Sequence, residues 1–220
     1  MLRKATTLRG FRVSTRDGET GRVDRFLFDD RKWIVRWVVV AIGGFLRRRL
    51  VLLSPVRIRS IDSRQREIVV DLGREQVEKA PDVDWDKPVS RQRELEMDRT
   101  YIPYWGFPGI VGESLYPGLL VAMQEAAAPR GQDDDPHLRS SKEVIGYHVM
   151  ATDGEAGRVR DFVVNDRQWR IWRIVVDAGR RILVPPRRVE AIEWDRKSVR
   201  VDLIRDMIRS LTPLGRDLSG

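Results

Sequence analysis

Short alternations of apolar and polar residues recur in two stretches of the chain, one towards each end. Phe26 and Phe28 precede an apolar run from Ile34 to Ile42, and its β-branched and aromatic residues favour strands. Asp17-Gly18 and Asp153-Gly154 lie between such alternations and predict hairpins, because glycine accepts a positive φ angle at little steric cost. Roughly five or six short strands in about 65 residues favour a small closed or nearly closed barrel.

Helical patterns are confined to short segments. One segment, Arg74 to Ala80, stops before Pro81, and another, Asp206 to Leu211, stops before Pro213. Ser90 is a residue type that caps helices, and it predicts a third helix that runs towards Tyr101. Helix is therefore predicted to be the minority structure.

The two β-rich stretches are copies of each other. Gly10-Phe11-Arg12-Val13 corresponds to Gly146-Tyr147-His148-Val149 at an offset of 136 positions. Later the offset falls to 131, where Val70-Asp71-Leu72 corresponds to Val201-Asp202-Leu203. The first copy therefore carries five extra residues in the stretch from Gly43 to Arg49. The chain is predicted to be a tandem duplication, with a period too long for a solenoid.

Charge divides the chain in the same way. The 220 residues include 41 Lys and Arg against 33 Asp and Glu, which gives a net charge of +8 and a pI near 10.2. The net charge is +9 over residues 1–72, −6 over residues 73–136 and +5 over residues 137–220. Two basic repeats flanking an acidic middle predict two domains, a connector between them and a tail, with the bounds 1–80, 81–136, 137–212 and 213–220.

Composition excludes several kinds of chemistry. The chain has no cysteine, which rules out disulfides and thiolate metal sites, and its two histidines are His137 and His148. No Ser-His-Asp order and no glycine-rich phosphate loop is present, so we expect no enzyme, no cofactor and no small-molecule substrate. The most apolar stretch, Trp33 to Phe45, is broken by Arg36 and is shorter than the roughly 20 residues of a membrane-spanning helix. We therefore expect a cytoplasmic protein.

The paired acidic residues of the two hairpins are candidates for structural rather than catalytic roles. Asp17 and Glu19 recur as Asp153 and Glu155, so their repetition follows from the duplication itself. Because they lie in predicted turns, we expect their carboxylates to accept backbone hydrogen bonds.

The repeated motifs resemble a known family. Gly-Phe/Tyr-x-Val at 10–13 and 146–149, Asp-Gly-Glu-x-Gly-Arg-Val at 17–23 and 153–159, and Phe-x-x-Asp-Asp-x-x-Trp at 26–33 resemble the PRC-barrel domain. The resemblance covers roughly residues 8–80 and 141–212. It implies a mainly β chain with two small PRC-type β-barrels from a tandem repeat, short helices and a long irregular aromatic connector.

The resemblance also implies a function. The PRC-barrel fold occurs in the cytoplasmic domain of the photosynthetic reaction centre H subunit and in a ribosome-maturation factor family. It implies a non-catalytic structural subunit that docks on the cytoplasmic face of a membrane complex, most plausibly a photosynthetic reaction centre, and stabilises its quinone side and light-harvesting assembly. The expected partners are reaction-centre-type subunits and anionic lipid headgroups, with the protein peripheral on the inner membrane. An RNA- or ribosome-associated adaptor and a soluble stress-related adaptor remain alternatives.

The insertion in the first repeat is one candidate interface. It combines apolar and basic residues in the sequence Phe45-Leu46-Arg47-Arg48-Arg49. An apolar tip beside basic residues suits anionic headgroups or an acidic protein surface. The alternative is a solvated loop on a basic protein.

The connector supplies a second candidate interface. Its aromatic cluster consists of Tyr101, Tyr104, Trp105 and Phe107, interspersed with Pro and Gly. Such residues are typical of interface anchors. Packing across the edge strands of one barrel is the alternative.

Overall fold

The computed structural model describes residues 1–43, 49–79 and 137–215. The strands of the first repeat are β1 (Leu2–Lys4), β2 (Arg12–Thr15), β3 (Gly18–Asp29), β4 (Ile34–Ile42), β5 (Arg49–Leu53), β6 (Ile58–Asp62) and β7 (Glu67–Val70). Those of the second repeat are β8 (Leu138–Ser140), β9 (His148–Ala151), β10 (Gly154–Asn165), β11 (Arg170–Asp177), β12 (Arg181–Val184), β13 (Val189–Glu193) and β14 (Ser198–Val201). The prediction of mainly β structure is confirmed.

The helices are short, as expected. They are α1 (Ala5–Leu8), α2 (Arg74–Glu78), α3 (Ser141–Val144) and α4 (Arg205–Ser210), with 3₁₀ turns at Pro55–Arg57 and Pro186–Arg188. The predicted helices at 74–80 and 206–211 are therefore confirmed within two residues at each end. The helix predicted from Ser90 and the aromatic connector lie outside the described residues.

The described strands join into one sheet. Its order is β13-β14-β9-β10-β11-β4-β3-β2-β7-β6, with β12 on β11 and β5 on β4. Each repeat contributes one parallel pair, β2 with β7 or β9 with β14. Within the described residues no strand pairing closes either repeat into a hydrogen-bonded ring, so the sheet is open where a closed or nearly closed barrel was expected.

The repeats exchange their first strands. β1 of the first repeat pairs with β10 of the second, with Leu2 opposite Asn165. β8 of the second repeat pairs with β3 of the first, with Leu138 opposite Asp29. These two pairs of residues correspond to each other at the offset of 136, so the exchange is reciprocal. Each repeat thus completes its sheet with a strand from the other.

A local two-fold relation links the repeats at the middle of the sheet. Ile34 of β4 lies opposite Arg170 of β11, its own counterpart in the duplication. Beside this bridge, the N–H of Val35 donates to the carbonyl of Trp169, and the N–H of Ile171 donates to the carbonyl of Trp33, both at 2.7 Å. A residue that pairs with its own counterpart is the signature of an isologous, dimer-like junction.

One hydrophobic core spans both repeats. Across the junction, the rings of Phe28 and Phe162 are 5.0 Å apart, and those of Phe26 and Trp169 are 6.1 Å apart. A smaller cluster of Val163, Val175 and Leu183 lies apart from this core. Because aromatic residues of both repeats pack together, separating the repeats would expose large apolar surfaces.

The two hairpin aspartates have the structural role that was expected, whereas the carboxylates of Glu19 and Glu155 pair with the side chains of Arg22 and His148. Turns at Asp17 and Asp153 follow β2 and β9, and each carboxylate accepts the backbone N–H that begins a helix, that of Arg74 at 2.7 Å or Arg205 at 2.8 Å. The hydrogen bond from the Arg205 N–H is the main reason that the pKa of Asp153 lies below its usual value. The two carboxylates therefore join each hairpin to its helix.

Candidate functional site

A groove of about 800 Å³ runs along the junction of the repeats. The first repeat contributes Asp30, Arg31 and Trp33, and the second contributes residues of β11 and of the segment from Pro185 to Ile192. We call this the Trp172 groove, after the exposed tryptophan that lines it. Its size falls within the range of about 300–1,000 Å³ that is typical of ligand pockets.

Trp172 owes its position to a β-bulge. In the ladder between β10 and β11, Val163 pairs with Arg173 and Val164 pairs with Ile171, so Trp172 is an extra residue on its strand. A bulge of this kind redirects a side chain relative to the regular alternation. Trp172 is 41 % exposed, whereas Trp33 in the same groove is 7 % exposed. The groove therefore presents one accessible aromatic ring.

Arg173 packs against that ring. Its guanidinium carbon lies 3.8 Å from the centre of the Trp172 ring, a cation–π contact. Burial, followed by the positive charge of Arg187, lowers the pKa of Arg173. Both causes disfavour the charged form of Arg173, because burial removes water from the guanidinium and Arg187 adds a second positive charge nearby.

Four arginines of the groove have no acidic partner among the described residues. No carboxylate of the described ranges lies within 4.0 Å of the guanidinium of Arg31, Arg170, Arg173 or Arg187. The two acids of the groove are engaged elsewhere. Asp30 pairs with Arg139 at 2.7 Å, and Glu190 pairs with Arg200 at 3.5 Å. The groove therefore offers positive charge that the described part of the protein does not neutralise.

The exchanged strand β8 forms one end of the groove. His137 contacts one oxygen of Asp30 through Nδ1 at 2.8 Å, while Arg139 donates to the other oxygen and, at 3.0 Å, to the carbonyl of Ile192. Asp30 is nearly buried, with 7 % of its side chain exposed. This network fixes the position of the groove relative to both repeats.

The duplication provides an equivalent surface for comparison, which we call the Trp37 face. Arg36 and Trp37 there correspond to Trp172 and Arg173, so the order of the two residue types is reversed. Trp37 is 6 % exposed and belongs to the core. Arg36 lies 4.0 Å from Asp29, whose counterpart in the groove is the uncharged Asn165. The two copies thus share a backbone but present different side chains.

Further substitutions separate the two surfaces. Arg170 corresponds to Ile34, and Arg187 corresponds to Val56. On the Trp37 face, Arg59 pairs with Asp71 at 3.0 Å, whereas its counterpart in the groove is Glu190. The difference lies less in total charge than in which charges have partners.

The predicted interface residues are mostly outside the described ranges. Phe45, Leu46, Arg47 and Arg48 of the insertion, and Tyr101, Tyr104, Trp105 and Phe107 of the connector, are among the residues that the structure does not describe. Arg49 is described: it begins β5, lies opposite Ile42, and donates to the carbonyl of Glu78 at 2.9 Å. Its assignment to a partner surface stays a prediction.

A comparison with protein-family models identifies the family. The model of the PRC-barrel domain matches residues 2–77 and 136–208, which together form most of the chain. The chain belongs to the PRC-barrel family. The two matched regions make it a tandem PRC-barrel protein, and no curated protein matches it.

The PRC-barrel is a non-enzymatic type of domain. Within the described ranges, no three His, Asp or Glu side chains converge in a way that would hold a metal ion. None of the helices in the described part of the chain combines the length and apolar character that a membrane crossing requires.

Sequence reasoning missed the Trp172 groove. The available signal was the aligned dipeptide, Arg36-Trp37 in the first repeat and Trp172-Arg173 in the second. Where one copy has a buried residue in a strand and the other copy has an arginine, the two copies are expected to present different side chains to solvent. What the alignment does not reveal is that strand β8 and Trp33 come together with this dipeptide across the junction.

Proposed function

We propose that this tandem PRC-barrel protein is a non-catalytic docking subunit, which holds components of a membrane-associated complex in a fixed relative position on its cytoplasmic face. The reciprocal exchange of β1 and β8 carries the proposal. Because the exchanged strands and the common core make the two repeats one body, the surfaces of the repeats keep a constant orientation. A rigid body with two dissimilar faces suits an adaptor.

Electrostatics supports docking on an anionic surface. Residues 1–72 carry a net charge of +9, part of it in the insertion that includes Arg47, Arg48 and Arg49. Near an anionic membrane, each basic side chain contributes about 1 kcal/mol of attraction. Anionic headgroups and acidic loops of a membrane-embedded complex are the partners that fit this charge.

The resemblance to the reaction centre H subunit narrows the proposal. We propose a reaction-centre-type complex as the partner, with the protein peripheral on the inner, photosynthetic membrane, where it would cap the quinone side and support light-harvesting assembly. Phe45, Leu46, Tyr101, Tyr104, Trp105 and Phe107 are the proposed apolar anchors, and the insertion arginines are the proposed contacts with headgroups.

Purification of a tagged copy from gently solubilised native cells tests this function. We expect the protein in the membrane fraction at low salt, together with integral membrane subunits. Recovery wholly in the soluble fraction, without membrane subunits, would contradict the proposal. Co-purification with ribosomal particles that is lost after nuclease treatment would instead favour the RNA-associated adaptor.

A charge-reversal pair tests the insertion. Arg47, Arg48 and Arg49 changed together to Glu should move the protein towards the soluble fraction and leave its thermal unfolding nearly unchanged. The control reverses three exposed charges elsewhere, Arg64, Arg167 and Arg196. If both triple variants partition alike, the insertion has no specific part in docking.

A further inference from the structure

We propose that the Trp172 groove binds an extended peptide segment of a partner protein, in which acidic residues are interspersed with apolar ones. The groove arginines would meet the carboxylates, and Trp172 with the adjacent prolines would contact the apolar side chains. The proposal rests on the adaptor function, since it names one surface through which docking takes place.

Charge complementarity is the first argument. Arg31, Arg170, Arg173 and Arg187 have no carboxylate partner within the described ranges, although many other arginines of the fold are paired. A carboxylate between Arg173 and Arg187 would relieve their mutual repulsion. Arginine also binds carboxylates through two parallel hydrogen bonds, which gives geometric selectivity as well as attraction.

The apolar lining is the second argument. Trp172 is 41 % exposed, and Pro185, Pro186 and Val189 line the same groove. Tryptophan and arginine are the residue types that dominate binding energy at protein interfaces. A partner that carried only charge would leave this apolar surface unused, so the occupant must be amphipathic.

The shape of the site separates a peptide from other anionic partners. A groove of about 800 Å³ is concave, whereas a bilayer surface is flat on this scale. Proteins that bind single-stranded nucleic acid stack successive bases on several aromatic rings. The described groove has one accessible ring, because Trp33 is 7 % exposed. An extended peptide fits both the shape and the lining.

The duplication supplies the third argument. At the Trp37 face the corresponding tryptophan is in the core, Ile34 and Val56 replace Arg170 and Arg187, and Asp29 lies beside the bulged arginine. The same fold therefore forms without an exposed tryptophan at this place and without arginines at the positions of Arg170 and Arg187. The duplicated fold thus does not require these three side chains at their positions, which fits residues kept for binding.

Fluorescence anisotropy on the full-length chain tests the proposal directly. The probe is a labelled twelve-residue peptide built from Glu-Glu-Leu repeats. Further arms use a Lys-Lys-Leu peptide, an all-glutamate peptide, oligouridylate, and vesicles that contain anionic phosphatidylglycerol. We expect one saturable site for the Glu-Glu-Leu peptide, at least about tenfold tighter than for the other probes, with binding that weakens as salt rises.

Variants place the binding in the groove. Trp172→Ala, and Arg170→Glu combined with Arg187→Glu, should each weaken peptide binding about tenfold or more. The matched control, Arg64→Glu with Arg167→Glu, changes two exposed arginines outside the groove and should bind as the wild type. Unchanged thermal unfolding of all three variants establishes that the fold is intact.

Several outcomes would overturn the proposal. They are equal binding by the groove and control variants, preferential binding of oligouridylate or vesicles through Trp172, and self-association of the chain that Trp172→Ala abolishes. Tagged copies in native cells separate this failure from failure of the adaptor function. If wild type and Trp172→Ala retrieve the same membrane partner equally, the groove proposal is wrong and the adaptor function stands. If wild type retrieves no partner, the adaptor function itself is wrong.

Discussion

The Trp172 groove and the Trp37 face are two copies of one stretch of sheet, and they differ in whether the tryptophan is exposed or buried. Both contain a bulge at the same point of the ladder, since Leu27 pairs with Trp37 and Phe28 with Val35 just as Val163 pairs with Arg173 and Val164 with Ile171. In one copy the tryptophan follows the bulge and enters the core. In the other copy the tryptophan is the bulged residue and reaches solvent.

This difference shows how a duplicated fold acquires a binding surface at small cost. The bulge in the ladder and the exchanged strands are present in both halves, and the buried rings of Phe26 and Trp33 recur as Phe162 and Trp169. Around the groove, Arg36 and Trp37 are replaced by Trp172 and Arg173, and the acid at Asp29 is replaced by Asn165. The same stretch of sheet therefore buries its tryptophan in one copy and exposes it in the other.

The largest expected effect contrasts the two tryptophans. Trp37→Ala should destabilise the fold by about 3–5 kcal/mol, because it empties a buried aromatic site. Trp172→Ala should cost less than about 1 kcal/mol, because the ring is 41 % exposed. Urea denaturation of the two variants measures both values. Equal losses would show that Trp172 is a structural residue, which would remove the distinction between the two surfaces.

The next effect concerns two corresponding glycines. A Cβ atom at Gly157 would lie 2.0 Å from the carbonyl oxygen of Asp177, and one at Gly21 would lie 2.5 Å from that of Ala41. Gly157 also has a φ of +148°, which disfavours other residues. Both changes to Ala should destabilise by about 2–4 kcal/mol, with the larger loss at Gly157.

Thermal unfolding of the two glycine variants measures this order. Gly179→Ala serves as the control for a positive φ without a close contact, since no atom lies within 4 Å of its added Cβ. If Gly157→Ala costs no more than Gly179→Ala, the close approach of the strands does not limit substitution.

Much of each repeat could be predicted from the sequence, because its determinants are local. The Asp17-Gly18 and Asp153-Gly154 turns and the β-branched runs specify hairpins through their own conformational preferences. Helix α2 and helix α4 follow from proline positions nearby. These features need no knowledge of distant contacts.

The junction could not be predicted, because it depends on contacts between residues far apart in the chain. Strands β1 and β8 are short and mostly polar. Their sequences, Leu2–Lys4 and Leu138–Ser140, contain no pattern that indicates the strand with which each one pairs. The same holds for the groove, whose arginines come from several elements. The candidate interface residues chosen from the sequence were those with a conspicuous local pattern, so a surface assembled from both repeats was overlooked.

The exchanged strands provide a test of the symmetry of the junction. Asp166 interacts with Arg3 of β1 at 2.6 Å and with the Met1 ammonium, as Asp30 interacts with Arg139 and His137 near β8. Both acids are largely buried. Asp166→Asn and Asp30→Asn should therefore each destabilise by about 2 kcal/mol, between the values for surface and fully buried pairs. A loss for one variant but not the other would show that a single exchanged strand holds the repeats together.

The dependence on pH sharpens this test for Asp166. Burial acts to raise the pKa of Asp166, but the Met1 ammonium and Arg3 outweigh burial and lower it. A lowered pKa in the folded state stabilises the protein at pH above about 3.9, the value in the unfolded chain. The difference in free energy of unfolding between wild type and Asp166→Asn should therefore be largest at neutral pH. It should shrink as the pH falls through the pKa of Asp166 in the folded state. A difference that stays constant from pH 7 to pH 2 would contradict an ionic origin.

The smallest expected effect on stability concerns a hydrogen-bond acceptor beside α1. It distinguishes the two repeats, because the stability contribution of this acceptor should depend on pH in one repeat and not in the other. Asp161 is 4 % exposed and accepts hydrogen bonds from the N–H groups of Thr6 and Phe162, at 3.1 and 2.8 Å, and from the Thr6 hydroxyl. In the other half the N–H of Phe26, which corresponds to Phe162, donates instead to the hydroxyl of Ser141 at 3.0 Å. One half therefore uses a titratable acceptor and the other a neutral one.

Burial raises the pKa of Asp161 despite its hydrogen bonds. The folded protein then holds this proton more tightly than the unfolded chain, so the contribution of Asp161 to stability is greatest below about pH 3.9 and falls as pH rises through the folded pKa. Asp161→Asn keeps an acceptor without the charge, and should stabilise by about 1 kcal/mol or less at pH 7 and have no effect at pH 3. Ser141→Ala, which removes the neutral acceptor, should destabilise by about 1–2 kcal/mol equally at both pH values. Urea denaturation at pH 3 and pH 7 measures the change in free energy of unfolding for both variants. If the loss in Ser141→Ala changes with pH, or the effect of Asp161→Asn does not, then Asp161 is not the titratable acceptor that distinguishes the two halves.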